Sequence, residues 1–492
     1  MFEKLSYDQF SELSQEHDRV AVYQEFSADL LTPMGALHAL EKKHKKVVLL
    51  ESGIVQTHMG RYSHIGFNPV AEISAYGFEI EVKNSEESKV YDGDPFEILR
   101  KLHLKYGCGS NRRLFGFCGG AAGYLAYDAV RYIEDIPDRH KDKQEFPDLF
   151  FQFFENGITF DHQKNSVLIV RVVEVKGDAE KAYKEGIKDI EHTYHLISAA
   201  PNFVKVKPKT FDLTKNVKVF PDDESFRKII AKAKEYINAG DVFQVVPSRR
   251  FEVDCTITPF ELYRSLRHIS PSPYMFYISH EDFSILGASP EKLVSAQGKF
   301  LETIPLAGTR PRGKTPEEDL ALAKELQEDP KETAEHMMLV DLGRNDLGAV
   351  SKPGTVKVDK LKTVQNFSHV MHLASFVTGE LREDLDAFDA LKAAFPAGTL
   401  TGAPKIRAME IIDELESFRR GPYGGAICFI DHEGNLESCI GIRMATIKDG
   451  KAICQAGMGI VIDSDPEMEL AESRHKARGV LSSIQAAEEG AI

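Results

Sequence analysis

Four glutamates carry the first chemical signal. Glu332 and Glu335 stand three positions apart, as do Glu469 and Glu472. On a helix this spacing puts both side chains of a pair on one face, one turn apart. Two such pairs could jointly supply the oxygen ligands that a hard divalent cation takes, leaving room for water and an anionic substrate. The same spacing is also that of an ordinary solvated helix face. Glu332 has a third reading, because it follows Asp329-Pro330 at the position a capping box uses.

A second group of residues suits an anion. With the two-residue period of a strand, Cys439, Gly441, Arg443 and Ala445 share one face, and Ile440, Ile442 and Met444 the other. A lone arginine among small residues leaves space beside its guanidinium for a carboxylate. On the next strand Gln455, Gly457 and Gly459 share a face opposite Met458 and Ile460. Glycines paired in this way mark a close approach by a ligand or other protein atoms, or a bulge. The turn Phe395 to Pro404, FPAGTLTGAP, precedes a helix and is again suited to anion contacts.

One motif misleads. Gly308 to Thr315, GTRPRGKT, satisfies the phosphate-loop pattern, and Met337 to Asp341 imitates its usual strand and aspartate. A phosphate loop needs consecutive backbone N–H groups and a helix that begins at the lysine. Pro311 removes one N–H. Thr315-Pro316 has the chemistry of a helix start, so Lys314 falls outside the helix. Met337 to Asp341 continues a helix that begins at Pro330, so both halves of the motif fail on context.

These residues need elements to position them. Val47 to Leu50 and Ser166 to Val173 have strand character, and Asp178 to Ser198 that of a helix. Phe226, Ile229, Ile230, Ala233 and Ile237 recur at helical spacing before Asn238-Ala239-Gly240, and a strand over 241–248 follows. Thr258, Thr315 and Asp329 each precede proline, with glutamate at the third helical position. Residues 423–430, 436–448 and 451–462 form a meander with turns at 432–435 and at Asp449-Gly450. The expected architecture is α+β, with antiparallel β-sheets packed face to face and helices on the outside. Pro201 to Pro221 is polar and lysine-rich, which divides the chain into an N-terminal region (1–200), a linker (201–221) and a larger C-terminal domain (222–492).

Bulk properties bound the function class. A net charge of −15 over 492 residues argues against a sequence-independent grip on nucleic acid or an anionic membrane. No apolar run reaches the roughly 18 residues of a membrane span, and the first ten residues lack a signal-peptide core. The six cysteines show no C-x-x-C spacing and are expected to be reduced, small hydrophobes, which fits a cytoplasmic protein.

The segments GDVFQVVPSRR, SPSPYMFY, GASPEKL, ETIPLAGTRPRG, AEHMMLVDLGRNDLG, FPAGTLTGAPK, GPYGG, GIRMA and QAGMGIV, with a final E-x-x-E-x-x-x-K, occur in that order over about residues 220 to 480. Together they resemble the chorismate-using enzymes, and among these the large subunits of anthranilate synthase. The N-terminal part resembles their regulatory region more weakly, through Leu49-Leu50-Glu51-Ser52.

The resemblance implies a Mg²⁺-dependent lyase that aminates chorismate and releases pyruvate to give anthranilate. Glu335 and Glu472 would bind the metal directly, with Glu332 and Glu469 acting through water. Gly308, Thr309, Thr399, Tyr423, Arg443, Gly457, Met458, Gly459 and Lys476 would contact substrate. Glu291 would be the acid for loss of the ring hydroxyl, and His372 would help expel pyruvate, although a buried core histidine is an alternative for His372. Water-adding relatives carry lysine where this chain has Gln244, and aminodeoxychorismate-forming relatives carry a lysine nucleophile where it has Ala307. An alanine cannot attack the ring, so ammonia must do so directly. The family further implies a separate glutamine amidotransferase subunit in a hetero-oligomer, a heterotetramer. It also implies feedback inhibition by tryptophan held between Glu51-Ser52 and Pro273-Tyr274-Met275.

Overall fold

The computed structural model describes residues 2–53, 60–111, 117, 119–140, 146–199, 211–366 and 370–491. Local chemistry starts its helices where the sequence expects. Thr258 closes a full capping box on the helix Pro259–Ile269, Thr315 caps Pro316–Glu328, and Asp329 caps Pro330–Gly348. Each cap satisfies backbone N–H groups that the first turn leaves without partners, at a gain of about 1 kcal/mol. Gly240 ends the helix Asp223–Ala239 in the left-handed conformation. The phosphate-loop residues behave as expected of a false match: Gly308 to Arg310 lie in the strand Leu306–Pro311, and Lys314 precedes its helix.

Among the described residues, two large sheets carry nearly all the strands, one of eleven and one of twelve. Neighbouring strands in both are antiparallel, as in the pairs of Val47–Glu51 with Tyr274–Ser279 and of Ala121–Leu125 with Ala426–Ile430. Those two pairs also join the N-terminal to the C-terminal half of the chain, one in each sheet. The boundary expected at 201–221 therefore separates neither sheet. Of that segment, 201–210 lie outside the described residues, and Val217–Phe220 is the edge strand of the first sheet.

Side chains alternate between layers, which explains the sandwich. Val48, Phe276, Ile278 and Ile285 of the first sheet meet Tyr124, Phe150 and Ile427 of the second in one core between the sheets. The alternate residues Val47, Leu49 and Tyr277 face outward onto the helices Pro33–Glu41, Ala179–Ser198, Pro259–Ile269 and Pro466–Glu488. On the far side, Ile73, Phe151 and Val294 pack against Pro95–Tyr106, Pro330–Gly348, Ala387–Ala394 and Lys405–Leu415. Antiparallel sheets face to face with helices outside is the observed architecture.

Three strand expectations change. Residues 241–248 give a two-residue strand, Gln244–Val245, and only then Ser248–Asp254. The strand expected over 436–448 is two strands, Leu436–Ile440 in the second sheet and Met444–Lys448 in the first. The chain crosses between sheets at Gly441 to Arg443, and Arg443 takes a left-handed φ of 51°. The shared face read from the period-two pattern therefore does not exist: Cys439 lies in the core between the sheets, whereas Ala445 faces the helices outside the first. The third strand ends at Gly457, short of Gly459.

Candidate active site

The crossing at Gly441 to Arg443 has a neighbour. The strand Ser284–Ser289 belongs to the first sheet and Lys292–Gln297 to the second, so the chain also changes sheet at Pro290-Glu291. The two crossings are stitched together, Ile440 N donating to Glu291 O at 3.0 Å and Ala288 N donating to Arg443 O at 3.0 Å. Pleated pairing lapses at such a crossing, and a charged side chain can point along the seam instead of into a core. This topology brings the main chain at 288–291 alongside that at 440–443.

Glu291 is buried, and burial pushes its carboxyl up to about 8, opposed by a hydrogen bond from Thr399 and the charge of Lys476. Thr399 Oγ1 donates to Glu291 Oε1 at 3.0 Å from the short turn Gly398–Leu400. Glu291 is thus a protonated acid at neutral pH, held in orientation by a hydroxyl. Arg443 is partly buried, and burial lowers its pKa against the charges of Tyr423 and Glu472; its guanidinium donates to Lys476 O at 3.5 Å. No carboxylate among the described residues forms an ion pair with it. A partly buried cation that feels the charge of Glu472 but is held by no ion pair suits an anionic ligand.

Tyr423 is buried, and a Cβ built on Gly457 would lie 2.9 Å from its Oη. Lys476 Nζ donates to Gly457 O at 2.9 Å and pairs with Glu472 Oε1 at 2.7 Å. A Cβ on Gly459 would lie 2.3 Å from Gln244 Nε2. Both glycines therefore mark close approach by side chains, and the bulge alternative is not realised. Between them, Met458 has its side chain in the core, and its N–H donates to Pro247 O at 3.1 Å.

The opposite wall comes from the strands Leu306–Pro311 and Val370–Glu380. Their register pairs Ala307 with Leu373 and Thr309 with His372, with a shift between them at Gly308. Gly308 has φ 65°, and a Cβ there would lie 3.0 Å from Glu332 Oε2. His372 Nδ1 donates to Gly308 O at 2.8 Å and lies 3.1 Å from Thr309 Oγ1. Burial lowers the His372 pKa, so the ring is neutral and Nε2 is its basic nitrogen.

The four metal-candidate glutamates sit on two helices. Burial and the charge of Glu332 raise the pKa of Glu335, and burial and the charge of Glu472 raise that of Glu469. Lys331 and Lys476 act electrostatically on both Glu335 and Glu469, so the two pairs converge. The donor set is all carboxylate oxygen, as a hard cation requires. The cluster is not closed, however, and no group of three or more acidic, histidine or cysteine side chains among the described residues has metal-holding geometry. Glu332 does not act as a capping-box residue. Its Oε1 accepts from Arg310 Nη1 at 3.1 Å, while Arg310 also pairs with Glu325 at 3.0 Å and Asp329 at 2.9 Å. Sequence reasoning missed Arg310, although an arginine next to Gly308-Thr309 and ahead of an acid-rich helix was a readable signal.

The residues expected to hold tryptophan also come together. Glu51 pairs with Met275 across the first sheet, and Gly53 N donates to Ser272 O at 2.8 Å. The Glu51 carboxylate is already engaged, accepting from Tyr263 Oη at 2.9 Å and Arg267 Nε at 2.8 Å. Tyr274 turns toward the core between the sheets and reaches Glu437 of the second.

Against this geometry stand the known relatives. The chorismate binding enzyme family matches residues 45–482, and the chain belongs to it. It is similar to anthranilate synthase component 1 of Acetivibrio thermocellus, 43% identical over 492 residues and covering 98% of each chain. Component 1 from Streptomyces coelicolor is 42% identical, over 97% of this chain and 91% of the relative. The crystal structure of anthranilate synthase component I from Streptococcus pneumoniae superposes with a TM-score of 0.76 at 35% identity, covering 93% of this chain and 99% of that one. The fold is shared with the menaquinone-specific isochorismate synthase of Escherichia coli, at a TM-score of 0.71 and 17% identity.

Proposed function

We propose that the protein converts chorismate and ammonia to anthranilate, pyruvate and water, as the large subunit of an anthranilate synthase. The relatives' names support this product, and one observation of this chain carries it further. The residue before Gly308-Thr309 is Ala307, paired with Leu373, so the wall that would present a nucleophile to the ring presents a methyl group.

Ammonia then bonds to the ring as the ring C–O bond breaks, and the departing hydroxyl takes the Glu291 proton and leaves as water. Thr399 occupies Oε1, which leaves that proton on Oε2. His372 Nε2 next accepts the proton from the carbon that now bears nitrogen, the enolpyruvyl C–O bond breaks, and the ring becomes aromatic. The released enolpyruvate takes that proton on its methylene carbon to become pyruvate, and the surplus proton on nitrogen restores Glu291. Arg443 and the N–H groups around Gly308 and Thr309 orient the substrate's carboxylates, with Tyr423, Lys476 and the backbone at Gly457 and Gly459 completing the contacts. Glu335 and Glu472 would hold Mg²⁺ directly, and Glu332 and Glu469 through water. When bound, the cation neutralises substrate charge and fixes the ring.

Ammonia comes from a glutamine amidotransferase subunit assembled with this chain as a heterotetramer. Tryptophan, the end product, inhibits from Glu51, Ser52, Pro273, Tyr274 and Met275. Mass spectrometry of the chain during turnover with chorismate and ammonium tests the central step. Free anthranilate and an unmodified protein mass are expected. An amino-chorismate that accumulates, or a covalent ring adduct on the protein, would overturn it.

A further inference from the structure

We infer that Arg420 is a positioning residue for the acid pair Thr399–Glu291, acting through the main chain at Leu400. The inference rests on the reaction proposed above. Arg420 and Glu416 are both buried, each 3% exposed. Glu416 takes a two-pronged bond from the guanidinium, from Nε at 3.0 Å and Nη2 at 2.7 Å. The ring of Tyr127 lies 4.4 Å from the guanidinium carbon. Those contacts already compensate the buried charge.

The remaining donors do something else. Arg420 Nη1 donates to Leu400 O at 2.7 Å, and Nη2 donates to Val246 O at 2.6 Å. Leu400 directly follows Thr399 and closes a three-residue 3-10 turn. The turn has bonds of its own, Leu400 N to Ala397 O at 3.0 Å and Thr401 N to Gly398 O at 3.2 Å, but these leave the Leu400 carbonyl to Arg420. Glu416 ties the other side, its Oε1 accepting from Ser248 N at 2.7 Å and from Ser248 Oγ at 2.8 Å. One ion pair thus ties together two separate segments, 246–248 and the turn at Leu400, and the clamped carbonyl adjoins the residue whose hydroxyl orients Glu291. Lysine cannot replace this fork, since it offers a point charge where two carbonyls and a carboxylate require a planar donor set.

The test is a double-mutant cycle in the full-length protein, with chorismate varied and ammonium saturating. Arg420→Lys is expected to lower kcat roughly tenfold or more and to leave KM for chorismate within about threefold. Thr399→Val lowers kcat through the same contact, so the double variant should be no slower than Thr399→Val alone, to within about twofold. Losses that multiply, or a raised KM with kcat unchanged, would overturn the inference. If Arg420→Lys fails to fold, Glu416→Asp keeps both charges and draws the guanidinium away from Leu400. Its kcat loss should merge with that of Thr399→Val, and multiplying losses there count equally against the inference. A parent protein that makes no anthranilate from chorismate and ammonium refutes the proposed function instead, so the two failures are distinct.

Discussion

Replacing Glu291 by glutamine should stabilise the fold at neutral pH while removing most of the activity. Burial raises this carboxyl from 4.5 to about 8, so the folded protein keeps a proton that the unfolded chain releases. For a raised carboxyl the sign is fixed: its stabilising protonation is complete below the unfolded pKa and is lost as pH rises through the folded one. At pH 7 the gap from 4.5 is two and a half pH units, and at about 1.4 kcal/mol per unit this costs the parent about 3 kcal/mol. Glutamine keeps the size of the side chain and can still accept from Thr399 Oγ1, but it has no charge to suppress. Urea unfolding of parent and Glu291→Gln should therefore agree near pH 4.5 and diverge toward pH 8, with the variant more stable by about 3 kcal/mol at pH 7. Its kcat should fall by roughly 10² to 10⁴ with the proton donor gone. A stability difference that stays flat with pH would refute the buried, protonated state, and parental turnover in the variant would refute the acid role.

Further predictions follow from the same geometry. Glu335→Ala and Glu472→Ala should each abolish Mg²⁺-dependent turnover while keeping the parental circular dichroism spectrum, and variants as active as the parent with and without Mg²⁺ would remove these glutamates from the metal account. Gly308→Ala should lower kcat/KM at least tenfold, because its φ of 65° penalises a side chain and the new methyl would stand 3.0 Å from Glu332 Oε2; an unchanged rate would mean that this turn is free to move. Ser52→Phe should blunt tryptophan inhibition with little effect on ammonia-dependent activity, since Ser52 lies between Glu51 and Gly53 where the first sheet meets 271–275. Equal inhibition of parent and variant counts against that site.

What could be foreseen depended on the range of the physics involved. Helix starts at Thr258, Thr315 and Asp329 were legible because a cap, a proline and a glutamate act within four residues. That same locality exposed the phosphate-loop match as false. The break at Gly441 to Arg443 was not legible, because alternation of side chains continues past the point where a chain leaves one sheet for another. Glu291 and Thr399 are 108 positions apart, and only the placing of the turn Gly398–Leu400 against the sheet crossing at Glu291 brings them together. Glu416 and Arg420 did carry a local sign, an acid and an arginine four residues apart, but nothing nearby announced that their partners would be Leu400 and Ser248. Glu332 was readable as a helix residue; its tie to Arg310 depended on a turn of strand 22 positions earlier.

The central claim is that ammonia attacks the ring directly past Ala307 and that pyruvate leaves in the same catalytic cycle. It is tested most directly by following pyruvate and anthranilate together in one reaction of chorismate with ammonium, using a coupled dehydrogenase for the first and fluorescence for the second. The account predicts equal amounts of the two at every time point. An aminated product that builds up ahead of pyruvate would contradict it.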